Sequence, residues 1–382
     1  MAIPILRVET QRFGPFTFQG GVALDALMLE KVRVEDAWEM FNASPLAQVA
    51  NQLTREVLVQ SVYGTNTIEG ADLTEEETGR ALDLDPKRVQ AEQDVRVRNI
   101  RSAYELAVRS SEDPAWQFSV EYVKAVHSEI CRDLAHPDNR PGLFRDNTKE
   151  RPTVVGDAAH GGQYKPPQFR GDIDLLMDAL VRWHAQLEAE EVPALIRAPL
   201  VHLYFELIHP FWDGNGRVGR VLEATLLRRA GFRYAPFALA KFYQEQIHRY
   251  FALFNACRRA AVRGDANPNQ EFVSFHLQGL REVIRRLHGR VNFLVQQLLF
   301  EAVLQGRRDD RSINTRQYAI VRRVMEHGRP LPIAALRADP IYRALYSRKT
   351  DKTRQRDLKK LLDGGLLRLD GENQLWPAFA AI

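Results

Sequence analysis

Apolar residues recur with a helical period along most of this 382-residue chain, and this pattern constrains the fold more than any other feature. Amphipathic segments with this period occur at 56–63, 92–108, 120–133, 172–189, 198–208, 220–229, 246–262 and 272–305. Patterns typical of β-strands are short and few, at 13–18, around 153–155 and in a hairpin near the C-terminus. The chain is therefore predicted to be mainly α-helical.

Composition excludes several classes of protein. With 45% hydrophobic and 27% charged residues, the chain can bury a core, which argues against disorder. Its two cysteines, Cys131 and Cys257, are too few for a disulfide framework. The first residues lack the pattern of a secretory signal, and no apolar stretch has the roughly eighteen residues of a membrane-spanning helix. We therefore expect a cytoplasmic protein that does not act with a membrane.

Shifts in composition divide the chain into three regions. Residues 1–90 begin with proline and glycine and continue with helices, whereas 306–313 is a charged run typical of a linker. We predict an N-terminal region at 1–90, a central domain with its following helices at 91–305, which the loop described next makes the catalytic candidate, and a C-terminal domain at 312–382.

The segment 209–220 (HPFWDGNGRVGR) has the composition of a phosphate-binding loop between two helices. Its glycines let backbone N–H groups approach a ligand, and the start of the following helix attracts anions. Arg217 and Arg220 lie on one face of that helix, where both can bind phosphate oxygens. The segment therefore predicts a site for a polyphosphate.

Two further residues equip this loop for chemistry. Asp213 can bind Mg²⁺, which usually takes one or two carboxylates together with substrate phosphates. Histidine is the side chain that most often acts as a general base, so His209 can accept a proton. The Walker A pattern is absent, so it does not explain nucleotide binding in another way.

Two other interpretations of the loop are weaker. A calcium-binding loop needs an oxygen ligand where Arg217 stands. His202, Glu206 and His209 have a spacing that brings metal ligands to one helical face, but Pro210 ends the helix. A structural role for His202 is therefore favoured over a metal site.

The loop resembles the signature of the Fic family, HxFx(D/E)GNGRxxR, at every defined position. Residues 142–145 (GLFR) and 164–167 (YKPP) resemble the G-x-x-R and Y-x-P-P motifs of that family. The resemblance implies a Fic-type helical domain with a short flap β-hairpin. A flap strand would dock a target segment by main-chain hydrogen bonds, and its residues would be Thr153, Val154 and Val155.

The resemblance also implies adenylyl transfer (AMPylation). ATP, with Mg²⁺, would donate AMP to a Ser, Thr or Tyr hydroxyl of a target protein or of the chain itself. His209 is then the base and Asp213 the metal ligand. The residues that bind the nucleotide phosphates would be Gly214, Asn215, Gly216, Arg217, Val218, Gly219 and Arg220. An adenine pocket is expected at Phe242, Tyr243 and Gln246.

Residues 65–70 (TNTIEG) resemble the inhibitory motif of the family, [S/T]xxxE[G/N]. Thr65 and Glu69 lie on one helical face, and Gly70 can end the helix with a positive φ. A Glu69 carboxylate held against Arg220 would take the place of the γ-phosphate of ATP and inhibit the enzyme. The alternative interpretation is an ordinary exposed glutamate near a helix end.

The region 312–382 has the pattern of a winged helix-turn-helix domain. Helices are predicted at 316–327, 333–346 and 351–363, followed by a hairpin of 366–369 and 374–376. The third helix has the basic composition of a DNA-recognition helix, but acidic residues interrupt it. The basic residues are Lys352, Arg354, Arg356, Lys359 and Lys360, and the acidic ones are Asp351, Asp357 and Asp363. Dimerisation or target docking is therefore favoured over DNA binding.

Other functions stay open at this point. One is a DNA-binding transcriptional regulator whose Fic domain senses a nucleotide. Another is an enzyme that transfers a different phosphate-containing group. A third is removal of AMP from a modified protein, with Glu69 aligning a water molecule.

Overall fold

The structure is a computed structural model that describes residues 3–85, 89–147 and 151–379. It is mainly helical, which confirms the prediction from periodicity. The helices of these ranges are α1 (Leu24–Asn42), α2 (Ala50–Ile68), α3 (Glu75–Leu82), α4 (Glu92–Glu112), α5 (Val120–Cys131), α6 (Arg170–Ala189), α7 (Ala194–Ile208), α8 (Asn215–Arg229), α9 (Ala235–Glu245), α10 (Ile247–Arg263), α11 (Gln270–Asp309), α12 (Thr315–His327), α13 (Ile333–Ala338), α14 (Pro340–Leu345) and α15 (Asp351–Asp363). The strands are β1 (Leu6–Glu9), β2 (Pro15–Phe18), β3 (Leu331–Pro332), β4 (Leu367–Leu369) and β5 (Gln374–Pro377). In these described ranges, the helices lack the length of apolar sequence needed to cross a membrane.

The chain forms two compact units. The first contains Met1–Ala43 and Ala50–His288, and the second contains Ser44–Val49 and Gly289–Ile382. The division between the units falls within α11, whereas the sequence predicted domain boundaries at 90 and 305. The functions predicted for the three regions stay predictions. The predicted linker at 306–313 is wrong for its first four residues, which continue α11 to Asp309 because arginine favours helix even without an apolar face.

Helices α7 and α8 pack against each other in the first unit, and their connecting loop is the predicted phosphate-binding segment. Most residues of α7 are buried, as expected for a helix with apolar residues on all sides. Helices α4, α5 and α9 pack against α8, and α6 packs against α7. The loop therefore starts and ends on helices whose positions are fixed by the core.

Among the described residues of the first unit, β-structure consists of two short pairings. Strand β2, which lies in the predicted segment 13–18, pairs antiparallel with β1, with Leu6 opposite Phe18. The predicted flap strand at 153–155 forms a single antiparallel bridge, Val155 with Tyr164, through two N–H to O contacts of 2.8 Å. The flap hairpin is therefore present in its shortest form.

A glycine allows α2 to lie close to α9. A Cβ atom at Gly64 would stand 2.8 Å from the backbone of Ala240, so any larger residue would push the two helices apart. This contact fixes the last turn of α2, which carries Thr65 and leads into Glu69.

The second unit has the elements predicted for 312–382, with two differences: one predicted helix is divided, and β3 is an additional short strand. The predicted helix 333–346 is two helices, α13 and α14, because Asp339 caps the N-terminus of α14 and Pro340 cannot continue a helix. The predicted hairpin is β4 paired with β5, in a sheet of order β3-β5-β4. Assignment to the winged helix-turn-helix class stays a prediction.

Candidate active site

His209 ends α7 with a left-handed backbone conformation (φ 51°) that is uncommon for a residue other than glycine. Its N–H donates to the carbonyl of Phe205 at 2.8 Å, and its side chain lines a cavity. Nδ1 lies 3.5 Å from a carboxylate oxygen of Glu206. A nearby carboxylate favours the proton on Nδ1, which leaves Nε2 as the proton acceptor that a general base requires.

Arg145, which is fully buried, holds the main chain of this loop. Its Nε donates to the carbonyl of His209 at 2.7 Å, and an Nη donates to the carbonyl of Pro167 at 2.5 Å. Burial lowers the pKa of Arg145 to about 10, so the guanidinium stays charged at neutral pH. The two short motifs at 142–145 and 164–167 are thus joined to the loop by a single side chain.

Asn215 and Gly214 close the loop at the start of α8. The side-chain amide of Asn215 accepts from the N–H of Phe211 at 2.9 Å and donates to its carbonyl at 2.8 Å. Gly214 has φ 84°, and a Cβ there would lie 3.2 Å from Sγ of Cys131. The side chain of Asn215 is therefore engaged by the loop, while backbone N–H groups at the start of α8 are available to an anion.

His127, on α5, supports the loop and was missed by the sequence analysis. Its ring stacks on Phe211 with centroids 3.6 Å apart. Nδ1 accepts from the N–H of Gly142 at 2.9 Å, so Nε2 donates to the carbonyl of Asp213 at 3.1 Å. Burial lowers the pKa of His127 to about 4, and the ring is neutral near pH 7. A single histidine in an amphipathic helix gives no sequence signal for this function.

Acidification is expected to destabilise the protein through His127. Unfolding restores its ordinary pKa of 6.5, so the unfolded chain binds more protons and stability falls as pH drops from about 6.5 toward 4. Between pH 7 and pH 5 the loss is about 2 kcal/mol from this residue. Urea unfolding of the wild type and of a His127→Gln variant at both pH values will measure it. A variant with the same pH dependence as the wild type would contradict the assignment.

Asp213 is paired with Arg217. Both carboxylate oxygens accept from one Nη of Arg217, at 2.9 and 2.8 Å. Burial works to raise the pKa of Asp213, but Arg217 holds it below its ordinary value, so the carboxylate is charged at neutral pH. Its side chain is 41% exposed, against 3% for Arg217. Asp213 therefore offers a charged and reachable oxygen ligand.

A metal site made of protein ligands alone does not form in the described part of the chain. Within those residues, no three His, Cys, Asp or Glu side chains are placed to hold a metal ion. His202 instead contacts Tyr250 through Nε2 at 3.0 Å and Glu223 through Nδ1 at 3.3 Å. A structural role for His202 stays a prediction, and any cation at Asp213 would need further ligands from a substrate.

Glu69 reaches the loop from the end of α2. Its Oε1 accepts from an Nη of Arg220 at 2.7 Å, and a Cβ at Gly216 would lie 2.5 Å from the same oxygen. The carboxylate therefore lies against the first turn of α8, where an anion is stabilised. Thr65 accepts from Arg220 through its hydroxyl at 3.4 Å and its carbonyl at 3.3 Å. Gly70 follows with φ 83°.

The cavity beside His209 has a volume of about 300 Å³. Its polar wall contains Glu69, Glu206, His209, Gly216 and Arg220. Its lining also includes residues of the flap, Val155 and Gly156, and aromatic side chains of α10, Tyr250, Phe251 and Phe254. The structure thus brings the predicted base, the predicted inhibitory carboxylate and one flap residue to one space.

The residues predicted to bind adenine do not line this cavity. Phe242 packs against Phe275 with ring centroids 5.1 Å apart, and the hydroxyl of Tyr243 donates to Glu223 at 2.9 Å. Gln246 lies between α9 and α10, outside the cavity lining. Tyr250, Phe251 and Phe254 of α10 line the cavity instead. In the sequence, their spacing cannot be distinguished from that of a helix that packs against the core. Contact of Phe242, Tyr243 and Gln246 with adenine stays a prediction.

Comparison with known proteins supports the family. Residues 117–227 match the model of the Fic/DOC family. The chain is similar to the protein adenylyltransferase Fic of Drosophila ananassae, with 27% identity over 225 residues, 58% of this chain and 40% of that protein. It is also similar to the enzyme of that name from Drosophila mojavensis, with 26% identity over 256 residues, 65% of this chain and 46% of that protein. The chain thus spans less than half the length of these curated relatives.

Solved structures share the fold. A Fic family protein from Desulfovibrio desulfuricans G20 has a TM-score of 0.57 and 20% identity, covering 94% of this chain and 97% of that one. Fic-1 from C. elegans, residues 134–508, has a TM-score of 0.54 and 22% identity, covering 70% and 74%. The predicted mainly helical, Fic-type fold is confirmed. Residues 117–227, which include His127, Arg145 and the loop from His209 to Arg220, therefore form a domain of the Fic/DOC family.

Proposed function

We propose that the chain is a protein adenylyltransferase that transfers AMP from ATP to a hydroxyl group of a protein. One observation carries this proposal: the imidazole of His209, the N-terminus of α8 and the guanidinium of Arg220 border the same cavity. A proton acceptor beside an anion site is what a hydroxyl needs to attack a bound polyphosphate. The curated relatives carry the same activity in their names.

The reaction follows from these positions. Nε2 of His209 accepts the proton of a Ser, Thr or Tyr hydroxyl, whose oxygen forms a bond to the α-phosphorus of ATP. The bond from the α-phosphorus to the bridging oxygen breaks, and pyrophosphate leaves with that electron pair. Arg217 and Arg220 stabilise the negative charge of the phosphates. Phe251 and Phe254 offer apolar surfaces for the adenine ring of ATP.

Mg²⁺ fits this site only together with the nucleotide. Asp213 would hold it, because its charged carboxylate is exposed and the remaining ligands can come from phosphates. When bound, the ion would neutralise negative charge on those phosphates.

Asp213→Asn is expected to remove the effect of Mg²⁺ on nucleotide binding. In the wild type, calorimetry should show tighter ATP binding with Mg²⁺ than with a chelator. The Asp213→Asn variant should bind ATP with about the same affinity in both conditions, because a neutral amide is a poor Mg²⁺ ligand. Asp178→Asn, at an exposed position of α6, is the matched control. An undiminished Mg²⁺ effect in the Asp213→Asn variant would exclude Asp213 as the ligand.

We propose that Glu69 inhibits this activity. Its carboxylate is bound to Arg220 and lies over Gly216, so the terminal phosphate of a productively bound ATP would meet a negative charge in the same place. ATP then binds in the productive pose only when the end of α2 moves. The physiological signal for that movement would act on α2.

The flap would bind the target by adding a strand. Val155 uses both main-chain groups to pair with Tyr164. Its neighbour Val154 is 41% exposed, on the edge that an incoming segment can reach. The acceptor hydroxyl of that segment would then lie near His209, which borders the same cavity as Val155.

Mass spectrometry tests the activity directly. After incubation with ATP and Mg²⁺, the Glu69→Gly chain or an added target should gain the mass of one AMP, and tandem spectra would locate the acceptor. A gain of phosphate or another group would identify a different transfer reaction. Loss of AMP from a modified chain on addition of wild-type protein would show that removal also occurs. No mass change in any arm would contradict the proposal.

DNA binding by the second unit is a second candidate function, and one observation favours it. Asp357, which interrupts the basic pattern of α15 in the sequence, is buried and accepts from Tyr346 at 2.9 Å and from Gln317 at 3.0 Å. The exposed basic residues of α15 are Lys352, Arg356, Lys359 and Lys360. Duplex DNA binding that weakens steeply with salt would support this function, and its absence at low salt would exclude it.

A further inference from the structure

A second cavity, of about 620 Å³, lies between α2, α4 and α9. None of its lining residues lines the cavity beside His209. Its size is within the range of sites for small organic molecules. No step of the proposed reaction uses it.

Apolar side chains from three helices form much of the lining of this cavity. Val57 and Leu58 border it from α2, Val108 from α4, and Phe237 from α9. Val57 and Phe237 are buried, at 3% and 8% exposure. A ligand that fills this space would therefore need a hydrophobic or aromatic body.

The rim of the cavity carries a surplus of positive charge. Its two acidic residues, Glu105 and Glu112, are already paired with arginines of the rim, at 2.8 and 2.6 Å. Arg109 and Arg233 are exposed, and no ion pair within 4.0 Å partners either of them among the residues that the structure describes. An acidic group on the ligand would complement these two guanidinium groups.

One side chain joins this cavity to the inhibitory contact. Tyr104 lines the cavity, and its hydroxyl lies 2.9 Å from the hydroxyl oxygen of Thr65. That oxygen also accepts from Nε of Arg220 at 3.4 Å. Burial raises the pKa of Tyr104, so its hydroxyl stays protonated and able to donate. The cavity is therefore two hydrogen bonds from the guanidinium that binds Glu69.

We infer that this cavity is a regulatory site for a small amphipathic anion with an apolar or aromatic body and one acidic group. The cavity exists in the conformation in which Glu69 is bound to Arg220, and α2 supplies part of its wall. A ligand that binds this conformation preferentially must stabilise it by the free energy of that preference. Occupancy therefore strengthens inhibition.

The binding part of the inference can be tested without measuring activity. The probe is 1-anilinonaphthalene-8-sulfonate, an aromatic sulfonate whose fluorescence rises in apolar surroundings. The wild type should bind it saturably, and Arg109→Glu with Arg233→Glu should weaken binding about tenfold, as loss of charge-assisted contacts implies. Arg182→Glu, at an exposed position of α6, is the control and should leave affinity unchanged. Equal affinity in all three proteins would overturn the inference.

The regulatory part rests on the proposed function and has its own readouts. Saturating probe should slow amide hydrogen exchange in α2 of the wild type but not of the double arginine variant. It should also lower self-modification by the wild type at least about threefold, which corresponds to less than 1 kcal/mol, while Glu69→Gly stays unaffected. Inhibition of both proteins to the same extent would place the probe in the nucleotide cavity and overturn the regulatory role. If no protein transfers AMP, the fluorescence and exchange results still decide the site.

Discussion

Glu69→Gly is expected to raise self-adenylylation at least about tenfold, which corresponds to about 1.4 kcal/mol of barrier. The substitution removes the carboxylate that is 2.7 Å from Arg220 and frees the first turn of α8 for the terminal phosphate of ATP. Because Glu69 follows the last residue of α2, a glycine there leaves the helix interior intact. Incorporation of labelled AMP, measured over time with Mg²⁺, gives the ratio of rates.

Asp72→Gly is the matched control for this experiment. Asp72 is an exposed acidic residue three positions after Glu69, in a segment without regular secondary structure. Its substitution makes the same change in net charge and flexibility but leaves the contact with Arg220 in place. Equal labelling of the wild type and the Glu69→Gly protein would show that the ion pair does not inhibit.

His209→Ala, made in the Glu69→Gly background, is expected to reduce transfer at least about a hundredfold, the contribution typical of a general base. ATP affinity, measured by calorimetry, should stay within about threefold, because Arg217, Arg220 and the N–H groups of α8 remain to bind phosphates. The result separates the proton acceptor from the nucleotide site.

Two outcomes would contradict this role of His209. Retained transfer would mean that another group accepts the proton. Lost ATP binding would mean that His209 maintains the conformation of the loop. This outcome has a structural basis, because His209 has a left-handed backbone and its carbonyl accepts a hydrogen bond from Arg145. His209→Asn is the informative second variant, since asparagine tolerates the left-handed region better than alanine does.

The loop from His209 to Arg220 was predictable because its chemistry is contained in consecutive residues. Glycines, arginines and a carboxylate at fixed spacing indicate an anion site before any tertiary contact is known. The contact of Glu69 with Arg220 was predictable only through a family resemblance, since 151 positions separate the two residues. His127 and the aromatic residues of α10 were not predictable, because burial and neighbours decide whether such side chains serve a site or a core.

Secondary structure shows the same limit. Helix α9 was missed because its sequence, APFALAKFYQE, is apolar on nearly every side and lacks a clear amphipathic period. The helices predicted within 1–90 had no assigned start, although Thr74 and Glu77 form a capping box where α3 begins. The division of residues 333–346 at Pro340 was readable from the proline itself.

Arg145 has a consequence for how a target is presented to the catalytic centre. The guanidinium of Arg145 donates hydrogen bonds to the main-chain carbonyls of His209 and Pro167. Pro167 lies three positions after Tyr164, which pairs with the flap residue Val155. In the proposed reaction, Arg145 would therefore set the position of the flap that binds the acceptor relative to His209, which accepts the proton. If the flap binds the target as proposed, a substitution in its outer residues would change which protein is bound, while Arg145 keeps the carbonyls of His209 and Pro167 at the same spacing.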